Sequence, residues 1–248
     1  MLEALAIFAA GIAAGTINTV VGSGTLITFP TLLAFGYAPV TANVSNTIGL
    51  VPGSVSGAIG YRRELAGQAA RARRLGVATF LGALAGAALL LVLPAAAFKA
   101  IVPAFVLLAL VLVVLQPRIA GWLGGHRHPD AHEGWGTRLA VFGTGVYGGY
   151  FGAAQGIMLL GFLGVTLPDD LQRINALKNV LAGLANLVAG VVFALVADVS
   201  WGAAALIAAG STIGGQVGAR YGRRLPPPVL RAVIVVVGSA AVVHLVTS

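Results

Sequence analysis

The chain has 248 residues, 58% of them hydrophobic and 9% charged, with no cysteine and a formal net charge of +8. The missing cysteines exclude disulfides, thiolate metal sites and cysteine nucleophiles. In so apolar a chain the positive charge is expected in basic cytoplasmic loops rather than as a mark of nucleic-acid binding.

Apolar runs at 75–93, 100–115, 201–217 and 229–246 approach the roughly 20 residues that cross a bilayer core. We therefore read an all-α polytopic membrane protein; β-barrel alternation is absent. The opening stretch carries Glu3 and no basic leader region, unlike a cleavable signal.

Residues 1–36 start apolar and are then interrupted by Gly15-Thr16-Ile17-Asn18-Thr19 and Val21-Gly22-Ser23-Gly24-Thr25. Two short helices meeting at this break would form a hairpin or a discontinuous helix. A close-packed glycine crossing fits the same residues. A helix is predicted over about 40–61. It carries a polar patch, Thr41-Ala42-Asn43-Val44-Ser45-Asn46-Thr47, inside an otherwise apolar span. The chain then leaves the membrane at Tyr61-Arg62-Arg63-Glu64, with Arg71, Arg73 and Arg74 close behind. Further helices are predicted over about 75–93 and 98–116. Gly82 and Gly86 stand at the spacing that lets helices pack closely. Tyr61 and Trp201 read as interface anchors.

Residues 117–137 read as a linker. His126, His128, His132, Asp130 and Glu133 match no firm ligand signature, so no metal site is expected. No cofactor is expected either. The second half then repeats the first at an offset of 132. Gly24 falls on Gly156, Asn43 on Asn175, Asn46 on Lys178, Thr47 on Asn179, Gly82 on Gly214 and Gly86 on Gly218. The Gly-rich stretch 143–156, which contains Gly152 and Gln155, is the second interrupted segment. The organisation is a first membrane repeat over 1–116, a cytoplasmic linker over 117–137 and a second membrane repeat over 138–248.

Arginines set the orientation. Arg62, Arg63, Arg71, Arg73 and Arg74 fill one loop of the first half, whereas its counterpart near 194–202 holds only Asp198. The next loop holds Lys99, but its counterpart holds Arg220, Arg223, Arg224 and Arg231. The basic side swaps, so the halves are expected to insert in opposite directions. The fold class is thus two inverted-topology repeats of about four helical segments. Each opens with a Gly-interrupted broken or re-entrant segment.

Spacings of three and four place Asn43, Asn46 and Thr47 on one helix face, and Asn175, Lys178 and Asn179 on another. Such groups avoid lipid and line a protein interior or an aqueous path. Amides, hydroxyls and one ammonium are mainly donors, which suits an anion. Asn18, Ser23 and Gln155 stand at the breaks and could add to the site, and Gly22, Gly24, Gly152 and Gly156 shape the pathway. Helix-helix glue is the competing reading of the patches. No paired carboxylates, HExxH or credible triad is present, so no enzyme is expected.

The stretch Gly15-Thr-Ile-Asn-Thr-Val-Val-Gly-Ser-Gly-Thr-Leu-Ile-Thr-Phe-Pro, then Ala42-Asn-Val-Ser-Asn-Thr and Gly60-Tyr-Arg-Arg-Glu-Leu, resembles the TauE/SafE sulfite exporter family. In the second half Gly148-Gly-Tyr-Phe-Gly-Ala-Ala-Gln-Gly and Asn175-Ala-Leu-Lys-Asn agree. The resemblance implies a multi-pass permease of the prokaryotic inner membrane that exports sulfite or related sulfur oxyanions and organosulfonates. Alternating access would come from movement of the two repeats around the site. Its partners would be a small anionic substrate and the lipid bilayer, not nucleic acid. Protons as coupling ion and a homodimer are left open. The rivals are a passive anion channel, a permease for another small anion such as a carboxylate, a structural membrane protein, and a metal permease using the histidine loop.

Overall fold

The computed structural model describes residues 1–125 and 133–222, with Val235, Val236 and Ser239 beyond them. The described residues form helices and connecting turns, with no strand among them. The helices are α1 (Leu2–Val20), α2 (Thr25–Ala34), α3 (Pro39–Gly60), α4 (Ala69–Val92), α5 (Ala95–Gly125), α6 (Trp135–Tyr150), α7 (Gln155–Thr166), α8 (Leu171–Val196) and α9 (Trp201–Tyr221). Among the described residues, four stretches are long and apolar enough to cross a membrane: α1, α4, residues 95–119 of α5, and α8.

Local chemistry sets the helix ends. Asp170 caps α8, its carboxylate accepting from the backbone N–H groups of Gln172 at 2.8 Å and Arg173 at 3.0 Å. Pro39 opens α3, where its missing N–H costs nothing. α1 does not stop at Gly15 as the sequence suggests but runs on to Val20. Gly15 is instead a contact point, where an added Cβ would strike the Ser211 backbone. The break narrows to 21–24, and Gly22 turns the chain at φ +90°. Likewise α6 runs to Tyr150, and Gly152 (φ +77°) and Ala154 (φ +60°) make the second turn. Gly22 therefore corresponds in conformation to Gly152, and the offset of 132 slips by two residues at the breaks. α7 has 12 residues against 10 in α2 and restores the register. α5 also exceeds its expected end at 116 and continues through Pro117 to Gly125.

Small residues decide the packing. Added Cβ atoms on Gly82 and Gly86 of α4 would hit the backbone of α6 at Phe142 and Val146. Those on Gly210, Gly214 and Gly218 of α9 would hit the backbone of α1 at Phe8, Ile12 and Thr16. The expected close-packing glycines thus bring backbones together, as the pattern requires. α9 also packs along α3, through Gly49, Gly53 and Gly60, while α4 packs along α8. The fourth helix of each half therefore lies between helices of the other half. The contact pairs rise together in number from α1 to α9 and from α4 to α6. They run in opposite order between α3 and α8, where Ser54 meets Gly183 and Ile48 meets Gly190. So α1, α3 and α9 point one way, and α4, α6 and α8 the other.

Polar contacts tie residues 66–74, 133–138 and 169–173 to one face. Asp169 pairs with Arg71 at 2.8 Å and with Arg173 at 2.7 Å, and Glu133 pairs with Arg74 at 2.8 Å. Gln68 Nε2 donates to Arg173 O at 3.0 Å. Burial works against the Asp169 charge, but hydrogen bonds from Arg71 and Arg173 outweigh it and hold the carboxyl below its ordinary value. The Arg74 hydrogen bond does the same for Glu133. At the opposite end Tyr37 OH donates to Glu3 Oε1 at 2.8 Å, so the α1–α2 hairpin closes on the side where it began.

Candidate functional site

The two breaks meet in the interior. Gly156 N–H donates to Gly22 O at 3.1 Å. A Cβ on Gly22 would run into the Gly156 backbone, and one on Gly156 would meet Gly22 and the Lys178 stem. Only glycine at both positions permits this approach. Gly24 packs on Ala14 and Asn18 at the turn into α2.

Beside the crossing, α8 presents Lys178, which is completely buried. It lies seven residues into α8, about 10 Å along the axis at 1.5 Å per residue. Its Nζ donates to Asn18 O at 3.0 Å and Thr19 O at 3.2 Å. Asn175 and Asn179 each donate through Nδ2 to Thr19 O at 3.3 Å. The carbonyls of a helix's last turn lack intrahelical partners and carry the negative end of its dipole. The second patch thus caps the end of α1, and the lysine turns inward to these carbonyls instead of reaching for the membrane surface.

The first patch performs the matching task across the molecule. Asn43 Nδ2 donates to Tyr150 O, the last residue of α6, at 3.0 Å. Asn46 departs from its counterpart Lys178. It binds within its own half, donating to Thr25 Oγ1 at 3.3 Å and accepting from Thr28 Oγ1. Thr47 Oγ1 donates to Asn43 O at 2.9 Å, so its hydroxyl is spent on its own helix. Asn18 is half-buried and donates to Ser54 Oγ at 3.4 Å.

Among the described residues, Ser23 Oγ, Gln155 Nε2, Asn43 Oδ1 and Asn175 Oδ1 are buried with no hydrogen-bond partner. Leaving such groups unmade costs about 1–3 kcal/mol each. Ser23 and Gln155 directly neighbour the two crossing glycines in sequence. Next to the end of α6, Tyr147 and Tyr150 pack into an aromatic cluster with Phe98, Phe105 and Phe151, which Phe29 joins edge-on at 5.2 Å.

Sequence reading missed Thr25, Thr28 and Ser54. Thr25 and Thr28 stand three apart on α2, a spacing that could have drawn attention; their pairing with Asn46 has no local signal. Backbone carbonyls, the acceptors of both patches, leave no trace in side-chain pattern. Tyr61 is a correction. It is 2% exposed, against 59% for Trp201, and packs with Ala176 and Ala219 rather than anchoring at an interface. The histidine loop at 126–132 lies outside the described residues.

Four stretches of membrane length among the described residues mark a multi-pass membrane protein. The chain belongs to the TauE/SafE sulfite exporter family, whose model, "Sulfite exporter TauE/SafE", matches residues 7–245. It is 28% identical over 237 residues to "Probable membrane transporter protein YfcA" of Escherichia coli (strain K12), covering 94% of this chain and 86% of that one. It is 29% identical over 242 residues to "Probable membrane transporter protein ORF9" of Sinorhizobium sp, covering 96% and 90%. A "Probable membrane transporter protein" of Haemophilus influenzae (strain ATCC 51907 / DSM 11121 / KW20 / Rd) is 27% identical over 237 residues, covering 95% and 91%. No solved structure matches the chain.

Proposed function

We propose that the protein exports a small sulfur-containing anion, sulfite or an organosulfonate, by alternating access between two inverted repeats. The repeats are 1–116 and 138–248, joined by a cytoplasmic linker over 117–137. Opposed helix directions in the two halves support the inversion. So does the sharing of one face by the basic loops, since basic loops stay in the cytoplasm. The α1–α2 and α6–α7 hairpins then enter from opposite sides, and their tips meet at the Gly22–Gly156 crossing.

The observation that carries the reading is Lys178, buried at that crossing with its Nζ donating to the backbone carbonyls of Asn18 and Thr19. A buried ammonium held by neutral dipoles retains net charge to offer an anion. Gln155 Nε2 and Ser23 Oγ supply further hydrogen-bonding capacity, and Asn43, Asn46, Asn175 and Asn179 fix the surrounding helix ends. An anion bound here competes with the carbonyls of Asn18 and Thr19 for the lysine. Binding therefore loosens the grip of α8 on the end of α1, which couples occupancy to movement of the hairpin.

The test is flux of radiolabelled sulfite in proteoliposomes, for wild type and Lys178→Ala, with and without a pH gradient. The expected result is flux that needs Lys178 and responds to the gradient. Flux that needs Lys178 but ignores the gradient makes the protein a channel or uniporter. Absence of sulfite flux from folded wild type overturns the sulfite assignment and directs the assay to sulfonates and carboxylates.

A further inference from the structure

A cavity of about 520 Å³ opens where the C-terminal ends of α3 and α9 converge, lined by Gly60, Arg62, Arg63, Glu64, Gln216 and Arg220 together with Ala219. The arginines come from opposite halves of the chain and meet only through the fold. Three arginines on this face behave differently: Arg71, Arg74 and Arg173 each bind an acidic side chain at 2.7–2.8 Å. Arg62, Arg63 and Arg220 carry no ion pair among the described residues. Basic loops alone explain positive charge at this membrane face. They do not explain why guanidinium groups from both halves gather around one concavity while Arg71, Arg74 and Arg173 are paired with acids.

The cavity wall is joined by packing to the end of α1 and to α8. Ala219 packs with Tyr61 and Ala176, and Ala176 stands between Asn175 and Lys178 on α8. Gly60 is one helical turn beyond Gly57, whose added Cβ would lie 2.7 Å from Thr19 Oγ1. Thr19 is the residue whose carbonyl the second patch caps. Gln216 at the cavity wall is tied down by Nε2 donating to Ser56 O at 2.7 Å. Ala219 thus belongs both to the cavity wall and to the apolar cluster that packs on the α8 segment of Asn175 and Lys178.

We propose that this cavity is a second anion site, a vestibule which collects a hydrated oxyanion at the cytoplasmic mouth before it loses water at Lys178. The inference rests on the transport reading for its direction and for the nature of the anion, but not for binding itself. The volume is much larger than a bare oxyanion and leaves room for its water. Guanidinium forks match the oxygens of a sulfur oxyanion in pairs, whereas an ammonium offers only a point charge. A vestibule of this kind raises the local anion concentration and is sensitive to salt.

The test is calorimetric titration of sulfite into the full-length protein in nanodiscs, at low and at high salt. The proteins are wild type, Arg63→Gln/Arg220→Gln, Arg63→Lys/Arg220→Lys and Lys178→Ala, with thermal unfolding confirming that each is folded. We expect the glutamine pair to weaken a salt-sensitive component of binding roughly three- to ten-fold, the scale of exposed charge interactions acting together. The lysine pair keeps most of it, and Lys178→Ala leaves it unchanged. Wild-type affinity and salt dependence in the glutamine pair would overturn the vestibule, as would loss of all sulfite binding in Lys178→Ala. Binding that needs the arginines but not Lys178 supports the vestibule and removes the central site from the transport reading.

Discussion

The two polar patches occupy equivalent places and solve the same problem with different chemistry. Each holds the carbonyl end of a helix from the other half: Asn43 grips α6 at Tyr150, and Asn175 grips α1 at Thr19. They part at the next helical turn. Asn46 turns to the threonines of its own half, while Lys178 crosses to α1 and donates to two carbonyls. Amides alone suffice to hold a broken helix, as the first patch demonstrates. The charge of the second patch is therefore surplus to the structural task. α8 is also the more firmly founded helix, with the Asp170 cap and the Asp169 pairs at its start, where α3 begins with Ala38 and no side-chain cap.

The strongest way to break this comparison is to make the patches alike. Lys178→Asn should fold, because Asn46 shows that an amide is tolerated at the equivalent place. Its transport should fall about 10- to 100-fold, the rate equivalent of losing a charged hydrogen bond worth about 1.5–3 kcal/mol. Proteoliposome flux beside a thermal unfolding curve checks both halves of the statement. Wild-type flux in Lys178→Asn would mean that charge is not what distinguishes the patches.

A second, smaller effect is expected at the contact that joins them. Gly22→Ala adds left-handed strain at φ +90° and a collision with Gly156. The collision should cost about 1–3 kcal/mol beyond the strain. Gly36 has φ +85° with open space around it, so Gly36→Ala isolates the strain alone. Equal losses of thermal stability in the two variants would show that the crossing is looser than the geometry states.

The smallest effect concerns the base of α8. Asp169 is held below its ordinary value in the folded protein. Its contribution to stability is therefore complete above the unfolded value, about 3.9, and is lost as pH falls through the lower folded value. Asp169→Asn should be modestly less stable than wild type at neutral pH, and the gap should close in acid. Thermal unfolding followed from neutral pH downward reads this directly. A gap that is constant with pH would mean that the ion pairs to Arg71 and Arg173 do not stabilise the fold.

Part of this architecture was legible in the chain. Glycines at fours on α4 and α9 announced backbone contact, and the glycine-rich spacing there meets neighbouring main chain as the pattern required. Gly15 misled because a glycine that admits a neighbouring backbone and one that turns the chain look the same in sequence. Only the structure separates Gly15, packed against Ser211, from Gly22 at positive φ. Asn175 and Lys178 were visible as costly groups in an apolar span, but their acceptors are main-chain carbonyls, which every residue possesses. Tyr61 was read by its position near the arginines, yet its ring turns inward onto Ala176 and Ala219. Side-chain direction at a helix end depends on tertiary neighbours that no local pattern names.

The exchange of fourth helices has a consequence for biosynthesis. α1 emerges first, but its long glycine-lined partner α9 begins only at Trp201. At a synthesis rate of about 5–20 residues per second, the small-residue face of α1 waits roughly 10–35 s for that partner. During this interval Thr19 O lacks Asn175, Lys178 and Asn179 as well, since α8 is also still to come. A ribosome stalled between the halves would leave an unfinished bundle with open backbone, a natural substrate for membrane quality control.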